Sequence, residues 1–310
     1  MKIQEKVLLK NYSTFKIGGP AKYFTEIKSL DDLKDAIKWA KKEKEKFMIL
    51  GGGSNILFND QGFDGLVIRM TNNQIKLVDK TSISSEAGAT LADLVAFSGE
   101  NNLTGLEWAA GIPGKVGGAI RGNAGAFGSE IKNTAKEIIY FNLEKLTEEH
   151  CNNEECQFDY RQSVFKEFDH KIIWQALFEL KPAGEIDVKK SIKETIKKRQ
   201  EKHPWLVGAG SAGSIFKNPV VDKNLIKTFE QEKGVRCTDN KVPAGWLIDM
   251  CDLRGYQIGG AQVSDKQANF ILNVDNSSAE SIVILISIIK QKVRNTFGVQ
   301  LEEEVEIVGY

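Results

Sequence analysis

The 310-residue sequence is poor in the residue types that most directly announce a chemistry. It holds three histidines, His150, His170 and His203, and none has triad context. No serine sits in a GxSxG elbow, so a serine hydrolase is not expected. The four cysteines, Cys151, Cys156, Cys237 and Cys251, form no CxxC pair. Zinc and thioredoxin-like readings therefore fail, no metal site is expected, and scattered thiols fit a reducing compartment. Lys+Arg and Asp+Glu are both 42, so no excess of one sign calls for nucleic acid. The most apolar run, Ile282 to Ile289, falls short of the ~18 residues of a membrane span and continues into Lys290, Lys292 and Arg294. It is expected as an amphipathic helix on a folded domain. The opening MKIQEKVLLKNYSTFKIGG is too polar for a signal peptide, and a cytoplasmic protein without membrane partners is expected.

What is present is the profile of a globular chain, with 41% hydrophobic and 27% charged residues. The length predicts two or three domains. Ser29 can cap a helix over about 30–46, followed by a buried strand at Phe47–Leu50 and apolar runs at Ile56 and Gly65–Met70. Strands are expected at Ser82–Glu86, Glu137–Asn142 and Lys171–Leu180, and a helix at about 90–101. A charged helix over about 186–202 leads into helices at 225–233 and 279–295 and strands at 269–273 and 305–308. Rossmann-type alternation is absent, so the fold class is α+β, divided as 1–70, 71–182 and 183–310, the last part beginning with the charged helix.

Three glycine-rich loops carry the functional signal. ILGGGSNILF, from Ile49, can nest an anion on its N–H groups or form a tight turn. It lacks the Lys-Ser/Thr of a Walker motif. GIPGKVGGAIRGNAGAFG, Gly111 to Gly128, has seven glycines and is read as unable to pack a core through side chains, so that something flat must lie against it. GAGSAGSIFKNP, from Gly208, holds Ser211 and Ser214 among glycines with Lys217 and Asn218 beyond, the surroundings of an acid–base step.

With NYSTFKIGG, FDYRQSVFK, PAGWLID, IGGAQVSDKQANFILN and LEEEV, these loops resemble the UDP-N-acetylenolpyruvoylglucosamine reductase family in order along nearly the whole chain. The resemblance implies a two-part FAD-binding module of the vanillyl-alcohol-oxidase type and a C-terminal α+β substrate-binding domain. It implies FAD as bound cofactor, NADPH as hydride donor, an enolpyruvyl UDP-sugar as substrate, and a monomer. Cofactor contacts would fall on Gly51, Gly52, Gly53, Ser54, Asn55, Gly111, Ile112, Pro113, Gly117, Gly118, Asn123, Ala124 and Gly125.

The same resemblance assigns the catalytic groups. Arg161 would bind the substrate carboxylate through its planar fork. Glu304 would stand beside that carboxylate and donate a hydrogen bond from its carboxyl group. Ser214 would protonate C2 once hydride reaches C3. Tyr160, Arg199, Lys202, Lys217, Asn218 and Gln267 are the expected substrate contacts, with Arg199 and Lys202 on the UDP phosphates. One branch of the family carries a Tyr-bearing loop after the segment matching 163–166. This chain runs straight into the next strand. Arg121 stands where the pattern expects an apolar residue. The rival readings are an oxidase on the same flavin module and a UDP-sugar-binding module without turnover.

Overall fold

The computed structural model describes residues 1–202 and 209–310. His203 and Gly208, the first residue of the third glycine loop, lie outside the described residues. The chain forms two compact units that do not follow one another along the sequence. Unit 1 comprises residues 1–7, 21–52 and 64–201; unit 2 comprises 8–20, 53–63 and 202–310. The division thus differs from 1–70, 71–182 and 183–310. The charged helix Val188–Lys202 groups through residue 201 with unit 1, because its inner side packs there. Ile192 and Ile196 lie on that unit's core, and Ile192 Cδ1 is 3.0 Å from where a side chain on Gly99 would begin.

Unit 1 contains two sheets over one continuous core. A four-stranded sheet runs in the order Gln4–Leu8, Pro20–Ile27, Phe63–Met70, Phe47–Leu50. The last two strands pair in parallel, Leu50 opposite Arg69. The helix Leu30–Lys42 connects Pro20–Ile27 to Phe47–Leu50, and Ser29 Oγ caps it on the Asp32 N–H at 3.1 Å. It stops four residues short of the expected end because Lys44 turns left-handed and the Glu45 N–H reaches back to Ala40 O. The second sheet is antiparallel, in the order Thr147–Asn152, Ala135–Asn142, Lys171–Glu179, Ser82–Glu86, Ile75–Leu77.

The glycine-rich stretch 111–128 does pack a core, contrary to the reading from composition. It contains a helix, Val116–Arg121, whose Val116 and Ile120 are fully buried. Each such side chain contributes about 1.5–3 kcal/mol. Glycines at Gly117 and Gly118 mask the signal, but the apolar residues left between them recur at helical spacing, four apart.

Unit 2 has its own core, built from Phe15, Leu57, Ile215, Phe216, Leu247 and the inner face of the helix Ala279–Phe297. The Asp60 carboxylate accepts the first N–H of that helix at 2.8 Å, and Gly298 ends it in a left-handed cap. Ile56–Phe58, which sequence order suggests as part of the first α/β unit, pairs instead in parallel with Glu306–Val308. Among the described residues, no helix is long and apolar enough to cross a membrane.

Candidate active site

Within unit 1 the first two glycine loops meet backbone to backbone. A Cβ on Gly52 would lie 2.9 Å from Gly114 Cα, and one on Gly117 would lie 2.9 Å from Ala87 Cβ. These positions are glycine because protein fills the space. Gly118 differs. It is a helical residue of ordinary φ, and among the described residues a Cβ there would meet nothing within 4 Å. Glycine costs about 1 kcal/mol relative to alanine inside a helix. Among the described residues no packing contact accounts for that cost, and the face carrying Gly118 and Gly122 leaves room for a ligand. Lys115 sits beside this face, its Cβ 3.5 Å from where a side chain on Gly51 would begin. Burial pushes its ammonium below the ordinary lysine value and Arg69 adds to this, while Asp93 and Glu26 oppose it. A half-desolvated cation at a glycine-lined face favours an anion. The sequence reading passed over Lys115 because a lone lysine among glycines has no pattern of its own.

Gly111, Ile112, Pro113, Ala124 and Gly125 flank the same helix. Asn123 is different in kind. Its side chain is committed to the protein, donating to Glu130 Oε2 at 2.9 Å and to Asp159 O at 3.0 Å and accepting from the Lys132 N–H at 3.1 Å. It ties the end of the glycine stretch to the Arg161 loop. Arg161 itself has φ 58°, and its Nη2 donates to Gly125 O at 3.1 Å. Its guanidinium lies 5.2 Å from the Tyr160 ring centroid. Ser163 Oγ donates to Arg121 O at 2.7 Å and closes the knot.

Arg199 is buried, with Nε on Ala110 O and Nη2 on Trp108 O, both at 3.0 Å. Burial draws its charge below the ordinary arginine value. The structure therefore gives Arg199 a role in shaping the Gly111 loop, whose Gly111 would strike Arg199 Cδ at 3.2 Å if it carried a side chain. Lys202 is exposed.

Unit 2 brings Ser214 and Glu304 onto neighbouring stretches of chain. Glu304 N–H donates to Ile215 O at 2.7 Å, Lys217 N–H to Glu302 O at 2.9 Å, and Phe216 pairs with Glu303. Two of the three consecutive glutamates have lysine partners, Glu302 with Lys217 at 3.3 Å and Glu303 with Lys290 at 2.8 Å. The Lys217 ammonium is thus held by Glu302. Asn55, expected as a cofactor contact, donates to Glu304 O at 2.9 Å and accepts the Glu306 N–H at its own carbonyl, so it fixes the Glu304 backbone. Gly53 is glycine because a Cβ would overlap Tyr12 O at 1.9 Å, and Ser54 follows it in the turn. Asn218 accepts the Ala244 N–H at the start of the helix Ala244–Asp249, and Gln267 accepts the Asn269 N–H. Asn269 was missed. Buried, it brackets Phe216 with two hydrogen bonds, 3.0 and 2.8 Å, and its carbonyl takes the Ile215 N–H. It holds the segment that follows Ser214 in place.

Two glycine loops meeting beside an open, cation-flanked face suit the diphosphate of a dinucleotide cofactor, the class of a dinucleotide-binding enzyme. The sequence matches the FAD binding domain family over residues 21–143 and the C-terminal domain family of UDP-N-acetylenolpyruvoylglucosamine reductase over residues 204–308. It is 36% identical to the UDP-N-acetylenolpyruvoylglucosamine reductase of Caldanaerobacter subterraneus subsp. tengcongensis, across 97% of this chain and 92% of the relative. Identity to the same enzyme of Solibacter usitatus is 34%, across 96% and 94%. The crystal structure of UDP-N-acetylenolpyruvylglucosamine reductase from Thermus caldophilus matches with a TM-score of 0.78 at 28% identity, covering 99% of both chains. The chain belongs to the UDP-N-acetylenolpyruvoylglucosamine reductase family. The residues present fit the FAD that this family implies, since the open glycine face and the Lys115 cation suit a flat cofactor with a diphosphate.

Proposed function

We propose that this protein reduces the enolpyruvyl group of UDP-N-acetylglucosamine enolpyruvate to the lactyl group of UDP-N-acetylmuramate, with NADPH as electron source, in the cytoplasm and as a monomer. FAD, when bound, supplies the hydride that reaches C3 of the substrate. The remaining work falls to side chains. As hydride arrives, charge moves from the C2=C3 double bond into the adjoining carboxylate. Arg161 binds that carboxylate with a charge that does not titrate away. Its pairing with Gly125 O and the Tyr160 ring leaves the guanidinium with little orientation to lose on binding. Glu304 donates to a carboxylate oxygen and spreads the developing charge. Ser214 Oγ gives its proton to C2, and Lys202, Asn218 and Gln267 contact the UDP-sugar.

The observation that carries this reading is the pairing of residues 215–217 with 302–305, which sets Ser214 and Glu304 on adjacent stretches of backbone. A flavin oxidase has no use for that pair, and a binding module has no use for an acid. The test separates the half-reactions. In Ser214→Ala, NADPH should still bleach the flavin, while its return on adding the UDP-sugar should slow by about 10²–10⁴-fold. Normal recovery would remove Ser214 from the mechanism.

A further inference from the structure

We propose that Phe127 is a stacking platform for the flat heteroaromatic ring of a nucleotide substrate, the uracil of the UDP-sugar or a ring of NADPH. The inference rests on the reductase reading and adds a residue to its site.

Phe127 and Gly128 form the two-residue turn of a hairpin in which Ala126 pairs with Ser129 and Gly125 with Glu130. Their φ values, 53° and 81°, are those of a type I′ turn. Such a turn selects Asn-Gly, Asp-Gly or Gly-Gly, because both central residues must be left-handed. A phenylalanine in that position is strained, and the residue is 50% exposed. Burial therefore does not explain it.

The ring is nonetheless fixed. The Arg199 guanidinium carbon lies 5.0 Å from its centroid, and Arg199 is itself locked by the Trp108 and Ala110 carbonyls. One side of the ring is backed by a cation, and half of the residue is left to solvent. At the base of the same hairpin, Gly125 holds Arg161 through its carbonyl, and a side chain there would lie 3.4 Å from Nη1. Six residues thus carry a fixed aromatic ring at one end and the proposed carboxylate anchor at the other. Left-handed non-glycine residues recur in this knot, at Asn123, Phe127 and Arg161. Leu146 is a control for strain and exposure alone: it has φ 58° and is 53% exposed, in the turn between Ala135–Asn142 and Thr147–Asn152, which holds no candidate site residue.

The experiment compares Phe127→Gly, Phe127→Tyr and Leu146→Asn in the FAD-loaded enzyme. Both Phe127→Gly and Leu146→Asn relieve the turn. Phe127→Gly should raise KM for the UDP-sugar or for NADPH about tenfold, with a smaller change in kcat. Phe127→Tyr should stay within about twofold of the parent, since the ring face is retained, and Leu146→Asn should not move either KM. A rise confined to the UDP-sugar identifies uracil, and one confined to NADPH identifies its rings. Unchanged KM values in Phe127→Gly, or a tyrosine variant as weak as the glycine one, would overturn the proposal. Loss of FAD content in Phe127→Gly would also overturn it, because the ring would then belong to the cofactor. A parent protein without turnover would instead refute the reductase reading, and is told apart because no variant is then involved.

Discussion

Gly118→Ala separates what the fold requires from what a ligand requires. The residue lies inside the helix Val116–Arg121 with ordinary φ, and a methyl group there would touch no atom of the described residues within 4 Å. In the cofactor-free protein the substitution should therefore stabilise, by about 0.4–1 kcal/mol, through better helix propensity and a less flexible unfolded chain. For a chain of this length that is a rise in Tm of about 0.5–1.5 °C. In the presence of FAD the sign should reverse. A cofactor lying on the open face would meet the new methyl, and overpacking of one carbon typically costs about 1–3 kcal/mol. FAD affinity should fall roughly 5- to 150-fold. Apoprotein prepared by removing flavin, melted by calorimetry and titrated with FAD by flavin fluorescence quenching, gives both numbers from one sample. Tighter or unchanged FAD binding in Gly118→Ala would refute the assignment of this face to the cofactor. A destabilised apoprotein would show instead that the site is filled by the fold.

Glu304→Gln keeps the shape of the side chain but not its acid, and should lower kcat by about 10²-fold with FAD reduction by NADPH retained; equal turnover across the pH range would remove Glu304 from the site. Acid stability should depend on Glu149. Lys145, Asn142 and Tyr140 hydrogen-bond its carboxylate and lower it from 4.5 to about 2. A depressed folded value means the contribution is present above about pH 4.5 and lost as pH falls toward 2. Glu149→Gln should therefore flatten the dependence of Tm on pH across that window, and an unchanged slope in calorimetry would contradict the assignment.

Much of the fold was legible where a local rule acts alone. Ser29 marks its helix, Phe47–Leu50 reads as a strand from its apolar run, and Ser82–Glu86 reads as one from alternation. What could not be read was set by distant chain. Pro20–Ile27 looks irregular in sequence, with a proline and alternating polar residues, and becomes a strand because it lies between two others. Ile56–Phe58 was read beside its sequence neighbours, yet its partner is 250 residues on, since a parallel pair needs no local turn. The helix at Val116–Arg121 was hidden by glycines that serve approach and ligand space rather than flexibility. In the candidate site the residue types were legible from the motifs, while their tethers were not. Nothing in the sequence says that Asn55 holds the Glu304 backbone, that Asn269 brackets Phe216, or that Arg199 is locked beneath Phe127. These are hydrogen bonds and contacts between segments tens to hundreds of residues apart in the chain, each made within one unit.

The central claim, that this chain moves electrons from NADPH through FAD to an enolpyruvyl UDP-sugar, is tested most directly by an anaerobic visible titration of the purified protein. The account predicts yellow flavin bands that bleach with NADPH and return on adding UDP-N-acetylglucosamine enolpyruvate, with UDP-N-acetylmuramate formed in equal amount. A flavin that bleaches and then ignores the UDP-sugar, or a protein that stays colourless after FAD is added, would contradict it.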